Sequence, residues 1–450
     1  MPDLGRLCAE RVHLPEPDSD LLARLRGLPN LAVLDSAAGG NYTLVAAGRW
    51  ARLRWRPSGG EIRMPGGARA REENFRHLLR QALEATALDR ASPLPFGPGW
   101  IGSLGYGLRL AFERVPDRHP NETGLADVDL SYYPAVAVHD RKDRCWWMLW
   151  REEAAHSART LRACLQSPQP APEGRVDASP EPCIDRATYL GAVARAVEYI
   201  HAGDVFQINY SHEFRSPFQG HPLALYLALR AANPAPFGAY LDLGRGSAIL
   251  STSPELFVSL RGRTVTTRPI KGTRPRGADA EQDARLIEEL RTSEKDAAEL
   301  AMIVDLERND LGRVCRPGSV VVRDAARIES YASVHHRVAE VAGELEDGWD
   351  RVDLLAATFP GGSITGAPKV RAMELIDELE CGARGPYTGS IGILPDAGGM
   401  EFNIAIRTVT LAGGVARVHV GGGIVADSDP EAEYLETLDK GAALFRALQP

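Results

Sequence analysis

Lys271 stands in the run Arg268-Pro269-Ile270-Lys271-Gly272-Thr273-Arg274-Pro275-Arg276-Gly277, a single amine between two proline corners with three arginines close by. Proline sets φ on either side, and Gly272 lets backbone approach a ligand with no Cβ in the way. Neighbouring cations disfavour the ammonium form. A partly desolvated Lys271 would therefore keep a usable share of free amine near neutral pH, the state that attacks an electrophilic carbon. The same residues also read as a solvated basic loop.

Two carboxylate pairs share helical spacing. Asp296 and Glu299 lie three apart on a helix expected from Lys295 to Leu311. Glu433, Glu436 and Lys440 fall on one face of a last helix from Pro430 to about Leu448, with Glu436 and Lys440 as an i,i+4 pair. If those helices face each other, their oxygens suit Mg2+, which takes one or two carboxylates plus waters and an anionic substrate. Solvated acidic faces are the alternative. For anions there are Gly421-Gly422-Gly423, read as a backbone nest after a strand, and Arg407, read as projecting opposite Phe402, Ile404 and Ile406. A hairpin turn and a surface arginine are their ordinary readings. Glu255, ending Ser251-Thr252-Ser253-Pro254-Glu255, and His336, in Ser333-Val334-His335-His336, sit at strand-to-turn junctions where either a proton-transfer or a structural role is open.

The elements that must position these groups follow from periodicity. In residues 1–165, strands are expected at Leu31–Ser36 and Tyr42–Ala47, a helix at Glu72–Ala87, and a hairpin at Val136–Val138 and Cys145–Trp150, whose Trp146, Trp147 and Trp150 read as core. Residues 166–182 are rich in Pro, Ser and Glu and read as a linker. In 183–450, a helix at Arg186–His201 capped by Asp185 precedes a strand Val205–Phe214, with Phe206, Ile208, Tyr210, His212 and Phe214 on one face. Helices are expected at Asp350–Phe359 and Pro368–Glu380, and a meander at Tyr387–Leu394, Met400–Leu411 and Val415–Val420. Hairpins with helices between groups of strands indicate α+β layers. The chain has 450 residues, 44% apolar and 25% charged, with net charge −8, a balance that argues against nucleic-acid or membrane-surface binding. Its six cysteines show no metal or disulfide spacing, and no apolar run could cross a bilayer, so a cytoplasmic setting is expected.

Together these stretches resemble the chorismate-utilising enzymes: anthranilate synthase component I, aminodeoxychorismate synthase component I, and the isochorismate and salicylate synthases. The resemblance runs through Gly203–Gln207, Ser253–Glu255, Arg268–Thr273, Glu299–Asp310, Phe359–Lys369, Tyr387–Gly392 and Gly421–Val425. It is looser at Leu34–Ala37 and Gly102–Tyr106. Its P-I-K-G-T at Lys271 is similar to the aminodeoxychorismate branch, where anthranilate synthases usually read P-I-A-G-T. Gln207 stands where the hydroxylating enzymes place a water-activating lysine.

The resemblance implies two stacked, largely antiparallel sheets flanked by helices. It further implies Mg2+ held by Glu299 and Glu436, with Asp296 and Glu433 in support, clamping the ring carboxylate of chorismate. Glu255 would protonate the departing 4-hydroxyl, Lys271 would add at C2, and ammonia would displace it by adding at C4. Arg407, Tyr387 and Gly421, Gly422 and Gly423 would hold the enolpyruvyl carboxylate. His336 matches the family's active-site histidine, Thr273 and Lys369 would line the pocket, and Lys440 belongs with the substrate-binding residues. No cysteine sits in an amidotransferase context, so a separate glutamine amidotransferase subunit is the expected ammonia source. Leu34-Asp35-Ser36 is similar to the place where relatives bind tryptophan. Anthranilate synthase, and a non-enzymatic chorismate-binding subunit, are the rival readings.

Overall fold

Side-chain caps set where the helices around the site begin. Asp185 accepts from the Thr188 N–H, Ser293 from Asp296, Asp350 from Val352 and Asp353, and Asp429 from Ala432. The helices they open, Arg186–His201, Glu294–Gly312, Arg351–Thr358 and Pro430–Ala447, and the uncapped Lys369–Leu379, fall within about one residue of expectation. The helix expected from Glu72 starts later, at Phe75, because Arg69–Glu72 pairs as a strand with Gly59–Arg63. The computed structural model describes residues 4–67, 69–88, 92–331 and 334–450; Ser333, quoted above beside His336, lies outside the described residues.

Among the described residues the strands form a 13-stranded and a 12-stranded sheet, every pairing antiparallel. The first runs from Leu7–Val12 through Ala32–Asp35, Phe237–Gly244 and Val415–Ile424 to Gln207–Gly220. The second runs from Ile270–Pro275 through Val334–Glu344, Leu256–Arg261 and Ser390–Pro395 to Ala51–Arg56 and Arg69–Glu72. One apolar cluster, including Ala32, Val136, Ile249, Ile101 and Ile393, fills the space between them. Two others bury the outer faces under helices, with Leu223 and Leu444 over the first sheet and Leu78, Leu300 and Leu355 over the second. This is the α+β arrangement of two stacked sheets flanked by helices, and both sheets draw strands from either side of residues 166–182.

Four sequence expectations need correction. Residues 166–182 are not all unpaired: Gly174–Val176 and Glu181–Pro182 add to Gln207–Gly220, covering edge groups that would otherwise face water. That strand begins at Gln207, so Phe206 lies outside the alternation and is 71% exposed. The Met400–Leu411 strand is broken. Met400–Asn403 belongs to the second sheet and Thr408–Ala412 to the first, and the chain crosses between them at Ile404–Arg407. Likewise Ser390–Pro395 starts after Tyr387, so the expected meander is divided between the two sheets.

Candidate active site

Lys271 occupies an irregularity in strand pairing. Ile270 aligns with Val338 and Thr273 with His336, so Lys271 and Gly272 together stand opposite the single residue Arg337, a bulge of one extra residue. Gly272 has φ +89, and a Cβ there would lie 2.8 Å from Leu290 Cδ1 and 2.9 Å from Asp296 Cγ. Only glycine combines that turn with this approach to the Glu294–Gly312 helix, and the bulge aims Lys271 inward. Its Nζ comes 3.3 Å from where a Cβ of Gly423 would stand, and Gln207 Nε2 comes 2.9 Å from the same point. The amine therefore rests over bare backbone beside an amide whose Nε2 and Oε1 find no partner among the described residues. Burial depresses the lysine's proton affinity, helped by Lys440 and opposed by Glu299, Glu255 and Glu436.

Gly421, Gly422 and Gly423 do not form a turn nest; they lie inside Val415–Ile424, opposite Ser211, Tyr210 and Asn209. On its other side this strand pairs with Thr408–Ala412 only as far as Val418, so the glycines present an edge unpaired in the sheet. They are glycine because the space is taken. A Cβ on Gly422 would meet Glu433 Oε2 at 3.2 Å, Lys440 Nζ at 3.5 Å and Glu436 Oε1 at 3.9 Å.

Glu255 is buried before Leu256–Arg261. It accepts a hydrogen bond from Ser363 Oγ at 2.6 Å, and its proton affinity is pushed up to about 7 by burial, against Ser363, Lys271, the Ile270 backbone and Arg407. A carboxyl with that affinity is suited to giving a proton at neutral pH. Arg407 is not on a strand face but in the crossing between the sheets, with φ +50. Burial lowers its guanidinium to about 10, with Glu255 opposing, so it remains a cation near Glu255. His336 is buried with Nδ1 2.9 Å from Thr273 Oγ1; burial, then Arg407 and His335, lower it to about 3 and hold the ring neutral. Its Nε2 has no partner among the described residues. Thr273 itself is exposed. Tyr387 is buried and stacked on His419, ring centroids 5.1 Å apart.

The carboxylates of the two helices share lysines. Lys295 Nζ lies 3.9 Å from Glu299 Oε1 and also lowers Glu436, while both glutamates act on Lys271. Burial raises Glu436, but Lys440 at 2.6 Å, Lys295 and Lys271 outweigh it, and the group is lowered overall. Glu433 is raised by burial and accepts from Ser428 Oγ at 2.6 Å. Asp296 pairs with Arg274 at 3.3 Å. Among the described residues no three His, Cys, Asp or Glu side chains converge as a metal cage. Two hard carboxylates held against lysines nonetheless match the donor set of an ion that shares its shell with waters and a substrate anion. Lys440 also reaches Gly421 O at 3.4 Å. Lys369 is committed elsewhere, paired with Asp310 and donating to Thr358 O at 3.0 Å.

Sequence reasoning assigned no role to Ser363, which orients Glu255 from within the quoted Phe359–Lys369 stretch. It also missed Glu307, a buried acid raised well above its usual range by burial, which accepts from Thr267 Oγ1 at 2.8 Å. The Glu380–Arg384 pair was missed too: Arg384 donates to Asn209 O and Glu380 accepts from Ser211 Oγ, bracing the strand that carries Gln207. Only its i,i+4 spacing could have signalled it. Leu34, Asp35 and Ser36 line a separate cavity of about 680 Å3 with Tyr331, Phe237 and Asn403.

Residues 43–446 match the chorismate binding enzyme family, and the chain belongs to it. It is 43% identical over 362 residues to anthranilate synthase component 1 of Thermus thermophilus, covering 79% of this chain and 78% of that one. It is 41% identical over 375 residues to aminodeoxychorismate synthase component 1 of Salmonella typhimurium, covering 83% and 82%. The crystal structure of anthranilate synthase component I from Streptococcus pneumoniae superposes with a TM-score of 0.80 at 32% identity, covering 90% of this chain and 92% of that chain. The chain is thus a chorismate-utilising enzyme of the anthranilate and aminodeoxychorismate synthase family.

Proposed function

We propose that the chain makes 4-amino-4-deoxychorismate from chorismate and ammonia, with the ammonia supplied by a separate glutamine amidotransferase. The observation that carries this reading is Lys271, a half-buried lysine of depressed proton affinity laid over Gly423 beside Gln207. Its free electron pair would form a bond to ring C2 while the ring double bonds shift and the C4–O bond breaks. Glu255 would give its proton to that oxygen, releasing water. Ammonia would then add at C4 as the C2–N bond breaks, returning the lysine as neutral amine, and the new ammonium would return a proton to Glu255. Arg407 and the open edge at Gly421–Gly423 would hold the second carboxylate, a bidentate fork and backbone donors being suited to it. Mg2+, when bound by Glu299 and Glu436 with Asp296 and Glu433 behind them, would fix the ring carboxylate and draw charge from it. Gln207 cannot deprotonate water, which favours amination over hydroxylation.

The Thermus relative favours a second reading, amination at C2 to anthranilate. Incubation with chorismate, Mg2+ and ammonium separates the two. The proposal expects a product that becomes 4-aminobenzoate only after a separate lyase acts; fluorescent anthranilate formed directly would reject it. Protein trapped with chorismate and Mg2+ without ammonia should gain a covalent mass on the peptide carrying Lys271.

A further inference from the structure

Away from Lys271, a cavity of about 310 Å3 lies between the Tyr106–Ala111 turn, the segment reaching Asp127, and the far end of the Lys369–Leu379 helix. Its polar lining differs from an ordinary surface cleft. Tyr106, Arg109 and Asp377 are each at least nine-tenths buried, yet the Tyr106 hydroxyl, Arg109 Nε and Asp377 Oδ2 find no hydrogen-bond partner among the described residues. Buried polar atoms are rarely left so, because each costs on the order of 1–3 kcal/mol when unpaired. Three lining one cavity point to a ligand that answers them.

The charges specify that ligand. Three of the four acids are spent on arginines: Glu380 on Arg384, Asp117 on Arg109, and Asp377 on Arg109 at 3.7 Å and Arg118 at 3.6 Å. Among the described residues Asp127 makes no side-chain hydrogen bond or ion pair, with Arg56 and Arg109 near enough to favour its charge. Its carboxylate is given room by Gly107, where a Cβ would sit 2.1 Å from Asp127 Oδ1, and burial pushes its proton affinity up to about 6. Arg56, also on the wall, donates to the Gly124 carbonyl and to no other group among the described residues. Arg109 Nε, Arg56 and the tyrosine hydroxyl thus offer donors to an anion, and Asp127 offers an acceptor to a cation. Two guanidiniums lie over the Tyr106 ring, Arg109 at 4.6 Å and Arg384 at 4.8 Å from its centroid.

We infer that this cavity is a second small-molecule site that takes a small zwitterion of the α-amino acid class, its carboxylate toward Arg109 and Tyr106 and its ammonium toward Asp127. A volume near 300 Å3 suits such a ligand. The inference stands apart from the chorismate chemistry and from the larger cavity at Leu34–Ser36.

The test is titration calorimetry of the full chain with glycine, L-alanine, L-serine and L-glutamine, alongside N-acetyl-L-serine and L-serine amide, which each lack one charge. At least one amino acid should bind saturably at one per chain, and the blocked forms about tenfold or more weakly. Tyr106→Phe removes only an unpartnered hydroxyl, so melting should be unchanged while affinity falls about tenfold, as it should for Asp127→Asn. No saturable heat up to about 10 mM would overturn the inference. So would binding indifferent to both variants, or a crystal structure grown with the amino acids in which waters alone satisfy Tyr106, Arg109 and Asp377.

Discussion

The cleft around Lys271 and the cavity at Leu34–Ser36 are both polar and both lie where strands of the two regions meet, but their polar groups are in opposite condition. In the cavity the buried side-chain polar groups are paired among the described residues, Arg268 Nε excepted. Asp35 accepts from Arg230 at 2.5 Å and Tyr226 at 3.1 Å, Ser36 donates to Pro236 O, and Glu329 takes Arg268, Arg327 and Tyr331. In the cleft Gln207 and His336 Nε2 lack partners, an amine is held toward neutrality and an acid toward its protonated form. Paired polar groups build a wall; unpaired, shifted ones are available to a substrate.

That contrast can be broken by substitution. Lys271→Ala should erase the covalent adduct and slow amination at C4 by about a thousandfold or more, read by mass spectrometry and product formation; wild-type turnover would remove the covalent step. Glu255→Gln should cost about a hundredfold. Because the wild-type acid titrates near 7 and acts protonated, adduct formation without ammonia should fall as pH rises through that value, and the variant should lose that limb. Next in size, Glu436→Gln should weaken Mg2+ dependence and chorismate affinity together by about tenfold. Gly423→Ala places a methyl 2.9 Å from Gln207 Nε2 and 3.3 Å from Lys271 Nζ. Both neighbours are flexible tips, so melting should hold while turnover drops about tenfold through a displaced amine. Smallest on activity is Asp35→Asn in the cavity: turnover per folded molecule within about twofold, but stability down by about 3 kcal/mol as Arg230 loses its buried partner. A large loss of turnover there with full stability would dissolve the contrast.

The helices were legible because their signals are local: apolar periodicity marked each stretch and Asp185 marked one start, while Ser293, Asp350 and Asp429 cap the others in the structure. The carboxylate pairs followed from helical spacing for the same reason. Strand ends were less legible because apolar alternation does not stop where a sheet does. Phe402, Ile404 and Ile406 keep a period of two straight through the crossing between sheets, so Arg407 was placed on a strand face it does not have. Gly421-Gly422-Gly423 carries turn chemistry in isolation. Its actual cause, side chains of Gln207, Lys271 and Glu433 arriving from elsewhere in the chain, has no local trace. The same holds for the bracing of Asn209 by Arg384.

The hop at Ile404–Arg407 has a mechanical consequence. Lys271 is carried by one slab and Gly423 by the other, while Glu255 and Arg407 ride on two short straps between them, Pro254–Glu255 and Ile404–Arg407. Sliding one slab against its neighbour would separate the amine from the glycine floor while dragging the acid and the guanidinium along, so alignment of the layers and assembly of the reactive centre are one and the same adjustment.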